Sequence, residues 1–335
     1  MILVTGGTGF LGSHLLYHLL IKGEKIRAIY RKDSNFDLIK KIFIYYSDIN
    51  LDLFNNIEWI ESDILNYSDI EDAMENVEII YHTAAMVSYN PYDRYKMFDN
   101  NVSGTKNIVN AALTKNIKKL CYVSSIAALG ETNTESLISE NTTWKEEYGN
   151  SGYSYSKYYA EIEAWRGIEE GLNTIIVNPS VILGYGNWNN GSCALFKTIK
   201  NGFNYYTLGS SGFIDVEDVC KIMIRLTNSP IQNENFIMNA ENLIYKSVFE
   251  LIAGSLNIIP PKKYATGFLT GIAWRMEYIR SKLSGKSPLI TKESAQTSYK
   301  DLKYSNEKLE KIFHYEYKSI EKTIYSLGQL YLKEN

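Results

Sequence analysis

The chain opens MILVTGGTGFLGSHLLYHLL, and four of the eight residues at positions 5–12 are glycine. A strand over 2–5 and a helix over 10–22 must be joined through that turn. Gly6 permits a sharp reversal, Gly9 lets backbone meet an anion without a Cβ in the way, and Gly12 lets the helix pack close to the strand. Thr5 ends the strand, and Phe10 and Leu11 open a helix whose amides and dipole face the turn. Strand, glycine-rich turn and helix together make a dinucleotide pyrophosphate site. The spacing is TGxxGxxG rather than GxGxxG, so the assignment rests on the downstream elements as well.

Downstream of the turn, strands and helices alternate. Strands are expected over 25–30, 57–60, 78–82, 118–124 and 174–177, and helices over 68–76, 94–116 and 153–170. Such a series implies right-handed βαβ units and a parallel sheet. The strands are rich in Ile, Val, Leu and Tyr, as expected when helices cover both faces. The long stretch 36–56 predicts one extra helix, because structureless loops of that length are uncommon. After Pro179 the pattern loosens into short elements and loops. The fold class expected is α/β, a Rossmann-type doubly wound parallel sheet over 1–178. A smaller mixed α/β substrate region occupies 179–335, the sheet being completed by interleaved segments.

Bulk properties exclude several classes. With 335 residues the chain can bury a sizeable core. A net charge of −3 and only short Lys/Arg clusters argue against nucleic acid as a partner. Three scattered cysteines, Cys121, Cys193 and Cys220, fit neither a disulfide framework nor a zinc site and suit a reducing cytoplasm. Nor do His14, His18, His82 and His314 show metal-ligand spacing, so no metal is expected. A first strand beginning at Ile2 leaves no room for a signal peptide. No apolar run is long enough for stable membrane insertion. The segment 267–284 reads as an amphipathic helix that covers core or pocket in preference to touching a membrane.

Two further patterns carry chemistry. In YSYSK, Tyr153 and Lys157 stand at i and i+4 and so share a helix face. The neighbouring cation favours phenolate, which makes Tyr153 a proton donor and acceptor near neutral pH. Tyr155 has no such partner, because residue 159 is Tyr. The fifth strand ends CYVSS, placing Ser124 and Ser125 at the edge that faces the ligand crevice. A serine there either hydrogen-bonds a substrate oxygen or caps the next turn. At the end of the second strand, where an acid would bind the ribose of NAD, stand Arg31 and Lys32. They match the 2′-phosphate of NADP(H), with NAD(H) as the alternative cofactor.

TGGTGFLG (5–12), HTAA (82–85), NNVSGT (100–105), VSS…LG (123–130) and YxxxK (153–157) occur in this order. The chain resembles an extended short-chain dehydrogenase/reductase of the NAD-dependent epimerase/dehydratase family, over roughly residues 1–230. It is most similar to the dihydroflavonol-4-reductase-like branch. The resemblance implies that Tyr153 is the general acid/base, that Lys157 eases its ionisation and holds the nicotinamide ribose, and that Ser125 orients the substrate oxygen, with Ser124 on the cofactor side. It further implies that Asp63 and Ile64 flank the adenine and that Thr83, Ala84 and Ala85 line the cofactor. Asn101 would steady the cofactor or active site, and Pro179 and Val181 would border the nicotinamide. Similar enzymes pair as homodimers through the helices over 94–116 and 153–170.

Three activities are expected on this basis. The first is hydride transfer between NADP(H) and a ketone or secondary alcohol. The second is a nucleotide-sugar epimerase that recycles bound NAD. The third is a non-catalytic dinucleotide-binding protein. The acidic pair of the 4,6-dehydratases is replaced by Ile126 and Ala127, no arginine stands in 209–219, and Asn178 precedes Pro179 where sugar-nucleotide enzymes carry Arg. A diphosphate buried without cations is costly, so a small carbonyl or alcohol is the expected partner. Tyr89, Trp188, Phe196, Phe213 and Trp274 are aromatic candidates for the pocket, though such residues more often form plain core.

Overall fold

Seven parallel strands make the central sheet of the computed structural model, which describes every residue except 47–50, 89, 132–136, 147–150 and 285–290. The first part of the chain runs β1 (Ile2–Thr5), α1 (Phe10–Leu20), β2 (Ile26–Tyr30), α2 (Asp37–Tyr46), α3 (Leu51–Phe54), β3 (Ile57–Glu61), α4 (Tyr67–Ala73), β4 (Ile79–His82), α5 (Arg94–Thr114), β5 (Lys119–Val123), α6 (Gly152–Glu169) and β6 (Thr174–Pro179). Next come β7 (Val181–Leu183), α7 (Ala194–Lys200), β8 (Tyr205–Tyr206), β9 (Ser210–Asp215), α8 (Val216–Thr227), β10 (Glu234–Met238), β11 (Glu241–Ile244) and α9 (Tyr245–Ser255). The chain closes with β12 (Lys263–Tyr264), α10 (Gly267–Ser284), α11 (Lys292–Thr297), α12 (Glu307–Phe313) and α13 (Ile320–Glu334).

Across the central sheet the order is β10-β6-β5-β4-β1-β2-β3. The chain winds outward from β1 to β3, then returns to lay β4 on the other side of β1. A crevice therefore opens at the carboxyl ends of β1 and β4, the switch point where ligands bind in such sheets. Strand alternation feeds two helical layers. Ile2 and Val4 join the core of α1, α2 and α8, whereas Leu3 joins that of α4, α5 and α6. The Rossmann-type expectation is met. In the stretch 36–56 the described residues form two helical segments, α2 and α3, where one helix was expected, and Phe43 and Phe54 meet edge to face at 6.1 Å.

The last strand of the central sheet, β10, pairs in parallel with β6 from Glu234↔Ile175 to Met238↔Pro179. The later residues also build a three-stranded sheet, β11-β9-β7, and the short pair β12-β8. A third apolar cluster fills this region. It contains Trp188, Phe196 and Phe213, so these three aromatics are core and do not line the pocket. Tyr89 lies outside the described residues, and Trp274 sits on α10, away from the crevice.

Candidate active site

The glycine turn is built to admit backbone and little else. Gly6 has φ +71°, and a Cβ there would sit 2.6 Å from the amide nitrogen of Ala84. A Cβ on Gly12 would lie 2.2 Å from the carbonyl oxygen of Gly6. The helix that starts at Phe10 has Gly9 as its N-cap, with no side-chain cap and no acid in its first turn. Its first amides and positive dipole end are therefore left to face an anion. These features fit the pyrophosphate of a dinucleotide.

Gly6, Gly9, Phe10, Leu11 and Gly12 form one end of a cleft of about 530 Å³. Thr83 and Ala85 line it as well. Thr83 Oγ1 donates to the carbonyl of Thr5 at 2.7 Å, and the Ala84 amide donates to Thr5 Oγ1 at 3.3 Å. Thr5 Oγ1 also meets His82 Nδ1 at 2.6 Å, and His82 Nε2 meets Thr105 Oγ1 at 3.1 Å. Burial pulls the His82 pKa down to about 3, so the ring is a neutral bridge between β1, β4 and α5. Asn101 is buried behind the cleft. Its side chain accepts from the Met86 amide at 2.7 Å and donates to the Met86 carbonyl at 2.9 Å and to Ser156 Oγ at 3.0 Å. It pins the loop after β4 to the helix that carries Lys157.

Beyond the glycine turn, Arg31 and Lys32 are exposed after β2. Arg31 Nε lies 3.6 Å from Asp33. Its amide donates to Ser34 Oγ at 3.0 Å, and Thr8 Oγ1 reaches the same oxygen at 3.4 Å, which ties this loop to the glycine turn. At the end of β3, Asp63 is exposed and accepts from the Leu65 amide at 3.0 Å. The Ile64 side chain is buried against Gly104 of α5.

The other wall of the cleft carries Ser124, Ser125, Tyr153, Lys157, Pro179 and Val181. Helix α6 begins with Ser151 Oγ accepting from the Ser154 amide at 2.9 Å, so Tyr153 and Lys157 fall on successive turns of one face. Ser154 Oγ donates to the Ala127 carbonyl at 2.6 Å, fastening α6 to the turn that holds Ser125. Ser125 Oγ accepts from the Ala127 amide at 3.1 Å. It therefore does cap that turn, and as an acceptor there it keeps its own proton for a second partner.

Lys157 is buried, with Nζ donating to the Val123 carbonyl at 2.8 Å and to Tyr122 Oη at 3.2 Å. Burial draws its pKa down to about 8, against the pull of Glu161 one turn further along α6. Glu161 is buried too, and desolvation raises its pKa. Its Oε2 accepts from Asn178 Nδ2 at 2.7 Å, and the same amide group donates to the Ser125 carbonyl at 3.1 Å. Glu161 and Asn178 thus link Lys157 to Ser125, a connection that sequence reasoning missed. Glu161 was within its reach, since it continues the i, i+4 series from Tyr153 and Lys157.

The far end of the cleft is mainly apolar and aromatic, with Ile126, Leu129, Trp144, Tyr245, Leu302 and Tyr304. Trp144 stacks on Tyr158 with ring centroids 4.0 Å apart. An ion pair stands among them, Lys300 Nζ to Glu131 Oε1 at 2.6 Å. None of these stands out as a site residue from sequence, because they come together from separate stretches with no shared motif.

The family model of the NAD dependent epimerase/dehydratase family matches residues 2–239. A Synechocystis sp. protein named "Putative dihydroflavonol 4-reductase" is 28% identical over 91% of this chain and 87% of its own length. "Sterol demethylase protein B" of Methylococcus capsulatus is 29% identical over 72% of this chain and 70% of its own. Among solved structures, gox2253 superposes with a TM-score of 0.82 at 25% identity, over 100% of this chain and 98% of that one. The family match spans β1 to β10, and with it the glycine turn, Ser125 and the Tyr153 helix. The chain belongs to the NAD dependent epimerase/dehydratase family, on the extended short-chain dehydrogenase/reductase plan, as an NAD(P)-dependent oxidoreductase.

Proposed function

We propose that the chain is an NADP(H)-dependent reductase or dehydrogenase that interconverts a ketone and a secondary alcohol. The observation that carries this reading is the meeting of Tyr153, Lys157 and Ser125 in one cleft with the glycine cradle. Gly6, Gly9, Phe10, Leu11 and Gly12 hold the pyrophosphate, and Arg31 with Lys32 takes the 2′-phosphate. Asp63 and Ile64 flank the adenine. Thr83, Ala84, Ala85 and Ser124 border the cofactor, Pro179 and Val181 lie by the nicotinamide, and Asn101 steadies the wall behind. When bound, the cofactor supplies or accepts the hydride.

Tyr153 delivers its phenolic proton to the substrate oxygen during reduction and recovers it during oxidation. Ser125 donates a hydrogen bond to the same oxygen. Lys157 favours the phenolate while its proton is on, and Glu161 with Asn178 sets the position of both neighbours. The apolar, aromatic far end suits a ring-bearing substrate over a sugar diphosphate. The names of relatives that act on a dihydroflavonol, a sterol and an anthocyanidin agree with that class. The nucleotide-sugar epimerase reading is disfavoured: no arginine lines the cleft among the described residues, and of its lysines, Lys145, Lys157 and Lys300, the second serves Tyr153 and the third is paired with Glu131.

The test is NADPH consumption over a panel of ring-bearing ketones. Tyr153→Phe should lower kcat at least about 100-fold with NADPH affinity kept. Undiminished turnover in that variant would remove Tyr153 from the reaction. In parallel, Arg31→Ala should weaken NADPH about tenfold or more, consistent with loss of a charge-assisted contact, and leave NADH nearly unchanged. Equal losses for both cofactors would place the 2′-phosphate elsewhere.

A further inference from the structure

Helix α10 turns its oily side outward. Phe268, Leu269, Ile272 and Met276 are 76, 45, 42 and 65% exposed. Their spacing, i, i+1, i+4 and i+8, puts them on a single helical stripe. The opposite side, with Thr270, the partly buried Trp274 and Ser281, faces the protein. Thr270 Oγ1 meets Tyr299 Oη at 3.1 Å, and Ser281 is buried. The inner side packs on the protein, but the apolar stripe expected to cover core or pocket faces outward.

The stripe has a cationic rim. Arg275 and Arg280 are exposed and fall to either side of it at helical spacing. Lys262 and Lys263 are exposed just before the helix, and Ile259 beside them is 72% exposed. Residues 259–284 hold five cations and one carboxylate, in a chain whose net charge is −3. That carboxylate, Glu277, is bound to Arg280 at 2.8 Å. Among the described residues no helix is long and apolar enough to cross a membrane.

We propose that α10 and the segment before it dock in the plane of an anionic lipid bilayer, the apolar stripe among the acyl chains and the cations on the headgroups. Charge complementarity selects this occupant over a second copy of the chain. Two-fold pairing would set each cationic rim against its equal, with one carboxylate per copy to offset it. Docking also places the cleft by the lipid. Tyr299 Oη donates to the Ala265 carbonyl at 2.6 Å, at the root of α10, and its neighbours Thr297 and Lys300 line the far end of the cleft. A lipid-dissolved substrate would reach that end without crossing open water. The docking itself does not depend on which reaction the cleft performs.

The test is flotation of the whole chain with phosphatidylcholine vesicles, with and without phosphatidylglycerol. The wild type should float with the anionic vesicles, less so as salt rises, and not with phosphatidylcholine alone. Replacing Phe268, Ile272 and Met276 together by Ser should abolish flotation while thermal midpoint and NADPH affinity stay as in the wild type. Lys262→Gln with Lys263→Gln, which leaves the helix intact, should weaken binding about fivefold per cation removed. Three results would overturn the proposal: no flotation of the wild type, flotation of the triple variant equal to it, or a solution dimer that the triple variant loses.

Discussion

Lys157 shows how a single buried group couples stability to chemistry. Burial holds its pKa at about 8, whereas an unfolded chain keeps a lysine proton to about 10.4. Between those values the unfolded state binds more protons, so stability rises with pH across that window. Below pH 8 the full cost of burying the ammonium is present. Lys157→Met should therefore be more stable than the wild type at pH 7, by about 1–3 kcal/mol, and have almost no turnover. The stability gap should close as pH climbs from 8 toward 10.5, measured as paired urea melts of the cofactor-free proteins. A variant less stable than the wild type at pH 7 would show that the contacts to Val123 and Tyr122 outweigh desolvation. The placing of Tyr153 and Lys157 on one helix face, and of Ser124 and Ser125 at a strand end, was legible in sequence because each depends on a local rule. Asn178, Glu131 and Lys300 depend on contacts between distant stretches, and no local rule reports those.

At the scale of elements, the turn from β1 into α1 was the most legible feature, since a strand, four glycines and a helix leave few ways to fold. Its tolerance is equally narrow. Gly12→Ala drives a Cβ toward the Gly6 carbonyl at 2.2 Å and Thr83 Oγ1 at 2.9 Å. The helix must move away from the strand, at a cost of about 1–3 kcal/mol. NADPH affinity should fall at least tenfold along with the urea midpoint, and a variant that binds NADPH like the wild type would show that the cradle can relax. Helix α10 was less legible. Its repeat revealed an apolar stripe, but amphipathic spacing does not say whether protein or solvent lies against that stripe. In 36–56, likewise, length alone predicted helix without placing the segments α2 and α3.

At the scale of the whole molecule, the parallel sheet and its alternation were readable, and the seat of its last strand was not. Between β6 and β10 the chain leaves the sheet, builds β7, β8, β9 and two helices, and then returns to pair Phe236 with Val177 and Met238 with Pro179. A fragment ending near residue 178 would hold every glycine-turn and acid/base residue yet leave β6 as a bare edge, with apolar Ile175, Ile176 and Val177 along it. Unpaired edges of this kind recruit other chains. Expressed alone, such a fragment should aggregate, whereas one extended past Met238 should stay dispersed longer, a difference light scattering would read. Residues 180–233, which bring Val181, Ile182, Ser192 and Ser211 to the cleft, are thus threaded between two adjacent strands of the scaffold. They can be exchanged between relatives as an insertion, but not removed as a module.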